Sequence, residues 1–143
     1  MTLVMATGVF DILHPGHIHF LSEARKLGNR LVVVVARDKT AMKNGKMPLF
    51  DENTRLMMVS QLKLVDQAVL GHIGDIYETV SDIKPDIIAL GYDQHFNEAD
   101  IEKKCLELGL NVKVMRMSRS NHSGPVSSSE IKKRVIEEIE GRT

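Results

Sequence analysis

The sequence predicts an α/β fold in which a five-stranded parallel sheet is doubly wound, with helices on both faces, in one domain spanning residues 1–143. Three observations predict it. Strand-like and helix-like segments alternate along the chain, and glycine and proline fall between the patterned segments. The run from Leu31 to Ala36 is apolar and rich in β-branched residues, as a strand buried on both faces requires. Right-handed crossovers must then carry the chain back over the sheet after each strand.

Taken in order, Leu3 to Thr7 is a short buried strand, Pro15 to Leu27 a helix that Gly28 closes, and Leu31 to Ala36 a second strand that completes a βαβ unit. Arg37 to Glu52 reads as a loop. Beyond it come a helix over Thr54 to Leu62, a strand over Gln67 to Leu70 and a helix over Asp75 to Ile83 that stops before Pro85. Ile87 to Leu90 is an apolar strand ending at Gly91, and Glu98 to Leu108 is a helix ending at Gly109. Val112 to Met115 is the last strand and Ser128 to Glu140 the last helix. In such a sheet ligands bind beyond the carboxyl ends of the strands, where the winding direction reverses; here that sets Gly8 beside Gly91.

Composition narrows the function. Lys plus Arg and Asp plus Glu are both 19, so no long-range field of one sign draws the protein to nucleic acid or an anionic membrane, and any anion site must be local. No apolar run exceeds six residues and the N-terminus lacks a signal-peptide pattern, which excludes membrane insertion and secretion and makes a cytoplasmic location the expectation. A single cysteine, Cys105, forms no internal disulfide and supplies no thiolate cluster. Aromatic residues make up only 4%, too few for a stacking platform on single-stranded nucleic acid.

The segment Thr7-Gly8-Val9-Phe10-Asp11-Ile12-Leu13-His14-Pro15-Gly16-His17 carries the most chemistry. Proline suits the first helical position, so His14 falls at the cap and His17 in the first turn. Both imidazoles crowd a helix N-terminus, whose free N–H groups and dipole already favour an anion; Gly8 and Gly16 let backbone approach a ligand. The H-x-x-H spacing is wrong for a metalloprotease helix, which uses i, i+4, and no third zinc ligand is evident. No Walker-type G-x-x-x-x-G-K-[ST] occurs either.

His14-Pro-Gly-His17 after Gly8-Val-Phe-Asp11 resembles the H-x-G-H signature of the nucleotidyltransferase superfamily of cytidylyltransferases and related adenylyltransferases, and the resemblance covers essentially the whole chain. It implies a Rossmann-like sheet of HxGH nucleotidyltransferase type and transfer of a nucleoside monophosphate from a nucleoside triphosphate to an acceptor phosphate, with release of pyrophosphate. His14 and His17 inherit the stabilisation of charge on the transferring phosphate. Val126-Ser127-Ser128-Ser129-Glu130-Ile131 has the S-x-x-E spacing of a capping box, and it also resembles the family's second signature, which implies that Ser127 and Ser128 hold the nucleotide's β and γ phosphates. Upstream, Arg116 and Arg119 both lie near the position where relatives carry an arginine, Arg119 being the closer. The basic stretch Arg37 to Lys46 follows the second strand; Lys43 and Lys46 match the lysine that relatives direct toward the triphosphate or acceptor, and Arg55 matches a family arginine after that loop. The resemblance thus gives catalytic roles to His14, His17, Lys46 and Arg119. It gives nucleotide contacts to Thr7, Gly8, Val9, Phe10, Gly16, Gly91 and Asp93, and acceptor contacts to Asp11, Lys43, Arg55, Tyr92 and Gln94.

Within the superfamily, Gly91-Tyr92-Asp93-Gln94 resembles the G-P-D-Q of archaeal FAD synthases more than the G-D-D-W of glycerol-phosphate cytidylyltransferases. Val35 to Asp38 and Lys84 to Ile88 resemble the same group. One departure is that Cys105, in a predicted helix, replaces the C-terminal cysteines many of its members carry, so no thiol-dependent behaviour is transferred. This resemblance implies ATP and FMN as substrates, Mg²⁺ or another divalent cation carried by the nucleotide phosphates, and a homodimer. The alternatives are cytidylyl transfer from CTP to glycerol 3-phosphate or another small phosphorylated alcohol, and a noncatalytic nucleotide-binding sensor.

Overall fold

The apolar stretches form five parallel strands in the order β3-β2-β1-β4-β5, so the winding reverses between β1 and β4. The computed structural model describes residues 1–121, 124 and 127–141. The elements are β1 (Leu3–Gly8), α1 (Pro15–Arg25), β2 (Arg30–Val35), α2 (Asp38–Lys43), α3 (Glu52–Ser60), β3 (Gln67–Leu70), α4 (Ile76–Ile83), β4 (Ile87–Leu90), α5 (Glu98–Glu107), β5 (Lys113–Arg116) and α6 (Ser128–Gly141). Ala6 stands opposite Ala89, and two residues further along the same register Gly8 reaches the level of Gly91.

Strand alternation divides the core in two. Val4, Ala6, Leu31, Val33 and Val35 face α1 and α3, where Leu21, Ala24 and Val59 meet them. Met5, Val34, Ile88 and Leu90 face α4 and α5, where Val80, Ile101 and Cys105 are buried. Burial, with Glu102 nearby, pushes the Cys105 thiol pKa up, so it serves as a small apolar core residue. Three apolar residues of α6 stay in solvent, Val135, Ile136 and Ile139 each being more than half exposed. No helix among the described residues is long and apolar enough to cross a membrane.

The expected loop over Arg37 to Glu52 contains a short helix instead. Glu52 accepts from the Asp38 amide at 2.9 Å and from the Arg37 guanidinium at 3.0 Å, while Ala41 is buried. That long-range clasp, invisible in local spacing, holds α2 in place. Helix α3 begins at Glu52 rather than Thr54 because Asp51 caps it, accepting from the Thr54 amide at 2.8 Å. Helix α1 ends at Arg25, and Gly28 is required by the chain start: a Cβ there would lie 2.5 Å from the Thr2 carbonyl oxygen.

Candidate active site

The first turn of α1 gathers the imidazoles. His14 is the N-cap in extended conformation, and its Nδ1 accepts from the Gly16 amide at 3.0 Å. The proton of the neutral ring therefore resides on Nε2, which is left as a donor. His17 stacks on it with ring centroids 3.7 Å apart, and the Phe10 ring lies tilted against His17 at 5.2 Å. His17 Nδ1 is the one buried side-chain nitrogen or oxygen among the described residues with no hydrogen-bond partner. Desolvation foremost, then the neighbouring His14, with Lys46 adding to them against the pull of Asp11, depresses the His17 pKa to about 3. Desolvation also lowers the His14 pKa, against a smaller pull from Glu130. Both rings are neutral near pH 7.

Phe10 itself adopts a left-handed backbone (φ 52°) and is only 2% exposed. Its ring covers Gly8, where a Cβ would fall 2.8 Å from ring carbons, so glycine is needed there for close packing. The Phe10 side chain thus packs against His17 and Gly8, which leaves its backbone as the part able to meet a ligand.

Several other expected contacts turn out to be supports. Arg55 has no exposed surface; its guanidinium donates to the carbonyls of Phe50, Val9 and Ala36 at 2.8–3.0 Å and to Asp38 at 2.7 Å. It is a brace beneath the site with no surface to offer an acceptor, and it ties the Val9 carbonyl to the start of α3. Asp11 is buried too, and its carboxylate accepts from the amides of Leu49 and Phe50, both at 2.9 Å, and from Lys132 Nζ at 3.0 Å. Burial opposes its charge, but the Phe50 and Leu49 amides and the Lys132 ammonium outweigh it and hold the pKa below the usual carboxylate value. Gln94 spans β4 and β1, accepting from the Gly91 amide at 2.7 Å and donating to the Thr7 carbonyl and hydroxyl at 3.4 Å, so it too is a strut. Arg116 is spent on the carbonyls of Gly91, Gln94 and Phe96 and on Glu98. It shapes the corner after β4.

Arg119, Lys43 and Lys46 are exposed, with the Arg119 guanidinium 5.7 Å from the centre of the Tyr92 ring. Asp93 and Tyr92 are exposed beside Gly91. Ser127 Oγ accepts from the Glu130 amide at 3.1 Å, the serine half of the expected capping box. Ser128 Oγ accepts from the Ile12 amide at 3.3 Å, which brings the second signature against the first. Val126 of that signature lies outside the described residues. His19 binds the Ser118 carbonyl and hydroxyl and is structural, as its position two residues past His17 suggests. Lys132 escaped the sequence reading. It lies four residues after Ser128, hence on the same face of α6, the signal that would have linked it to the site.

A match to the cytidylyltransferase-like family model extends over residues 5–134. The chain belongs to the cytidylyltransferase-like family. With that family it is a nucleotidyltransferase. It is 58% identical to the FAD synthase of Picrophilus torridus over 94% of this chain and 96% of that protein. It is also 58% identical to the FAD synthase of Thermoplasma volcanium, over 97% of each. A crystal structure described as the lipopolysaccharide core biosynthesis protein from Thermoplasma volcanium superimposes with a TM-score of 0.83 at 61% identity, covering 85% of this chain and 99% of that one.

Two measurements check this geometry. Arg55→Met strands Asp38 and three carbonyls without their donor, so urea unfolding should show a loss of about 3 kcal/mol or more, and a loss below about 1 kcal/mol would contradict the brace. His17 binds a proton in the unfolded chain below about pH 6.5 but in the folded protein only near its depressed value of about 3, so its contribution is to lower stability as pH falls from 6.5 toward 3. His17→Gln should flatten that acid limb of the urea midpoint; an unchanged limb would mean that His17 is not held neutral.

Proposed function

We propose that the protein transfers AMP from ATP to FMN, giving FAD and pyrophosphate by direct in-line attack. One observation carries the reading of the site: a stacked pair of neutral imidazoles at a helix N-terminus, with the His14 Nε2–H left as a donor, suits a phosphate oxygen. An FMN phosphate oxygen attacks the α-phosphorus of ATP, the bond from that phosphorus to the oxygen bridging the α and β phosphates breaks, and pyrophosphate departs with the electron pair. The acceptor phosphate is already a competent nucleophile, so no covalent enzyme intermediate is needed. The His14 Nε2–H and the His17 ring stabilise equatorial charge, while Lys46 and Arg119 meet the charge of the leaving group. Ser127, Ser128 and the N-terminus of α6 hold the β and γ phosphates; Gly8, Gly16 and Gly91 admit the nucleotide to the strand ends, with Thr7 and Asp93 beside it.

Among the described residues no three His, Cys, Asp or Glu side chains converge as a metal site, and the Asp11 oxygens are committed to protein donors. The described residues offer no such set for a resident ion, and we read the divalent cation as carried by the nucleotide phosphates. The acceptor side consists of Lys43, Lys46 and Tyr92 with a cleft of about 250 Å³ between α2 and residues 47–51. Met42, Met47, Leu49 and Phe50 line it and supply the apolar surface a flavin ring needs in a chain poor in aromatics. FMN is favoured as acceptor by the FAD synthases to which the chain is similar. We also read the chain as a homodimer: Met57, Met58 and the apolar side chains of α6 are exposed surface that a second copy would cover.

The deciding experiment incubates the protein and Mg²⁺ with ATP or CTP against FMN or glycerol 3-phosphate, and follows pyrophosphate and product mass. FAD only from ATP plus FMN is expected. CDP-glycerol would establish the cytidylyl alternative, and nucleotide binding with no pyrophosphate in any well would turn the reading toward a sensor. His17→Ala should slow turnover about a hundredfold or more, on the order of 3 kcal/mol for one preorganised donor, and near-normal turnover would overturn the mechanism. Light scattering at micromolar concentration should report a dimer; a monomer would remove that part of the proposal.

A further inference from the structure

The second turn of α6 reaches across the site. Lys132 Nζ lies 3.0 Å from Asp11 Oδ2 and donates to the Met47 carbonyl at 3.1 Å. Asp11 in turn accepts from the Leu49 and Phe50 amides. One turn earlier on α6, Ser128 Oγ accepts from the Ile12 amide. The start of the helix therefore grips residues 11 and 12 at two points and the 47–50 segment at a third.

Burial contributes little to this joint. Met47 is 74% and Leu49 68% exposed, and α6 has no buried residue. Polar contacts rather than core packing thus fix the helix relative to the segment, and such contacts open at low cost. A group that anchors the helix start also anchors the segment, through Lys132.

We propose that Lys132 is a positioning residue that couples nucleotide occupancy at the start of α6 to the docking of residues 47–50 beside Lys46, so that bound ATP completes the acceptor side of the site. The coupling rests on the proposed phosphate role of Ser127 and Ser128. A triphosphate there adds charge-assisted bonds to the helix start and favours its docked position. Asp11 and Met47 then hold Lys132 and the segment together. Linkage makes the effect reciprocal: whatever ATP does for acceptor binding, the acceptor does for ATP.

The test measures FMN binding by fluorescence with and without a nonhydrolysable ATP analogue that saturates each variant. The analogue should tighten FMN binding about fivefold or more in the parent protein, within the usual range of coupling between sites. Lys132→Met should lose most of that gain, and Lys132→Arg, whose guanidinium can still bridge a carboxylate and a carbonyl, should restore it. A second readout needs no acceptor: the analogue should slow tryptic cleavage after Lys43 and Lys46 in the parent and in Lys132→Arg, but not in Lys132→Met. Equal synergy and equal protection in Lys132→Met and the parent would overturn the coupling, as would their absence from the parent. If the parent fails to bind FMN at all, the acceptor assignment falls and the tryptic readout alone decides the coupling.

Discussion

A buried guanidinium holds the catalytic end of the sheet together. Arg55 is a full charge with no exposed surface, and such a group is tolerable only when most of its donors are met by acceptors at good geometry. Its acceptors come from four places in the chain: the end of β1 at Val9, the end of β2 at Ala36, the entry to α3 at Phe50, and the start of α2 at Asp38. Satisfying one side chain thus sets where two strand ends and two helices lie relative to each other. The stacked histidines at α1 follow the loop that Arg55 pins at Val9, and Phe50, whose carbonyl Arg55 holds, also donates its amide to Asp11.

Above that brace, the site separates groups that bear load from groups that remain available. Asp11, Gln94 and Arg116 spend their polar atoms on backbone and on one another's segments, and they define the walls. Lys43, Lys46, Arg119 and Tyr92 stay exposed around the opening. Neutral imidazoles at the centre are consistent with this division. A charged pair of stacked rings would repel itself, whereas a neutral pair can lie in contact and still keep a ring N–H as a donor.

The fold was legible because burial on both faces leaves a strong mark: β2 is almost wholly apolar, and the reversal between β1 and β4 follows from the alternation alone. The cap at His14 was equally local, set by Pro15. What could not be read was non-local. Helix α2 depends on Glu52, fourteen residues from Asp38, and the fates of Asp11, Arg55 and Arg116 depend on carbonyls and amides that carry no sequence signal of their own. A charged residue in a functional motif looks the same on the page whether it will touch a substrate or hold a loop. Only the count of its acceptors in three dimensions distinguishes the two.

Position 10 exposes two conflicting demands on one residue. Its left-handed backbone would be relieved by glycine, yet the ring that only a large flat side chain provides is what shields His17 from water and packs over Gly8. The chain keeps the aromatic and accepts the strain. The acidity of the central imidazole is therefore adjustable from position 10: glycine there would ease the turn and at the same time let solvent reach His17, raising its affinity for a proton. The insulation of the reacting centre and the conformational cost of the turn are two faces of one amino-acid choice.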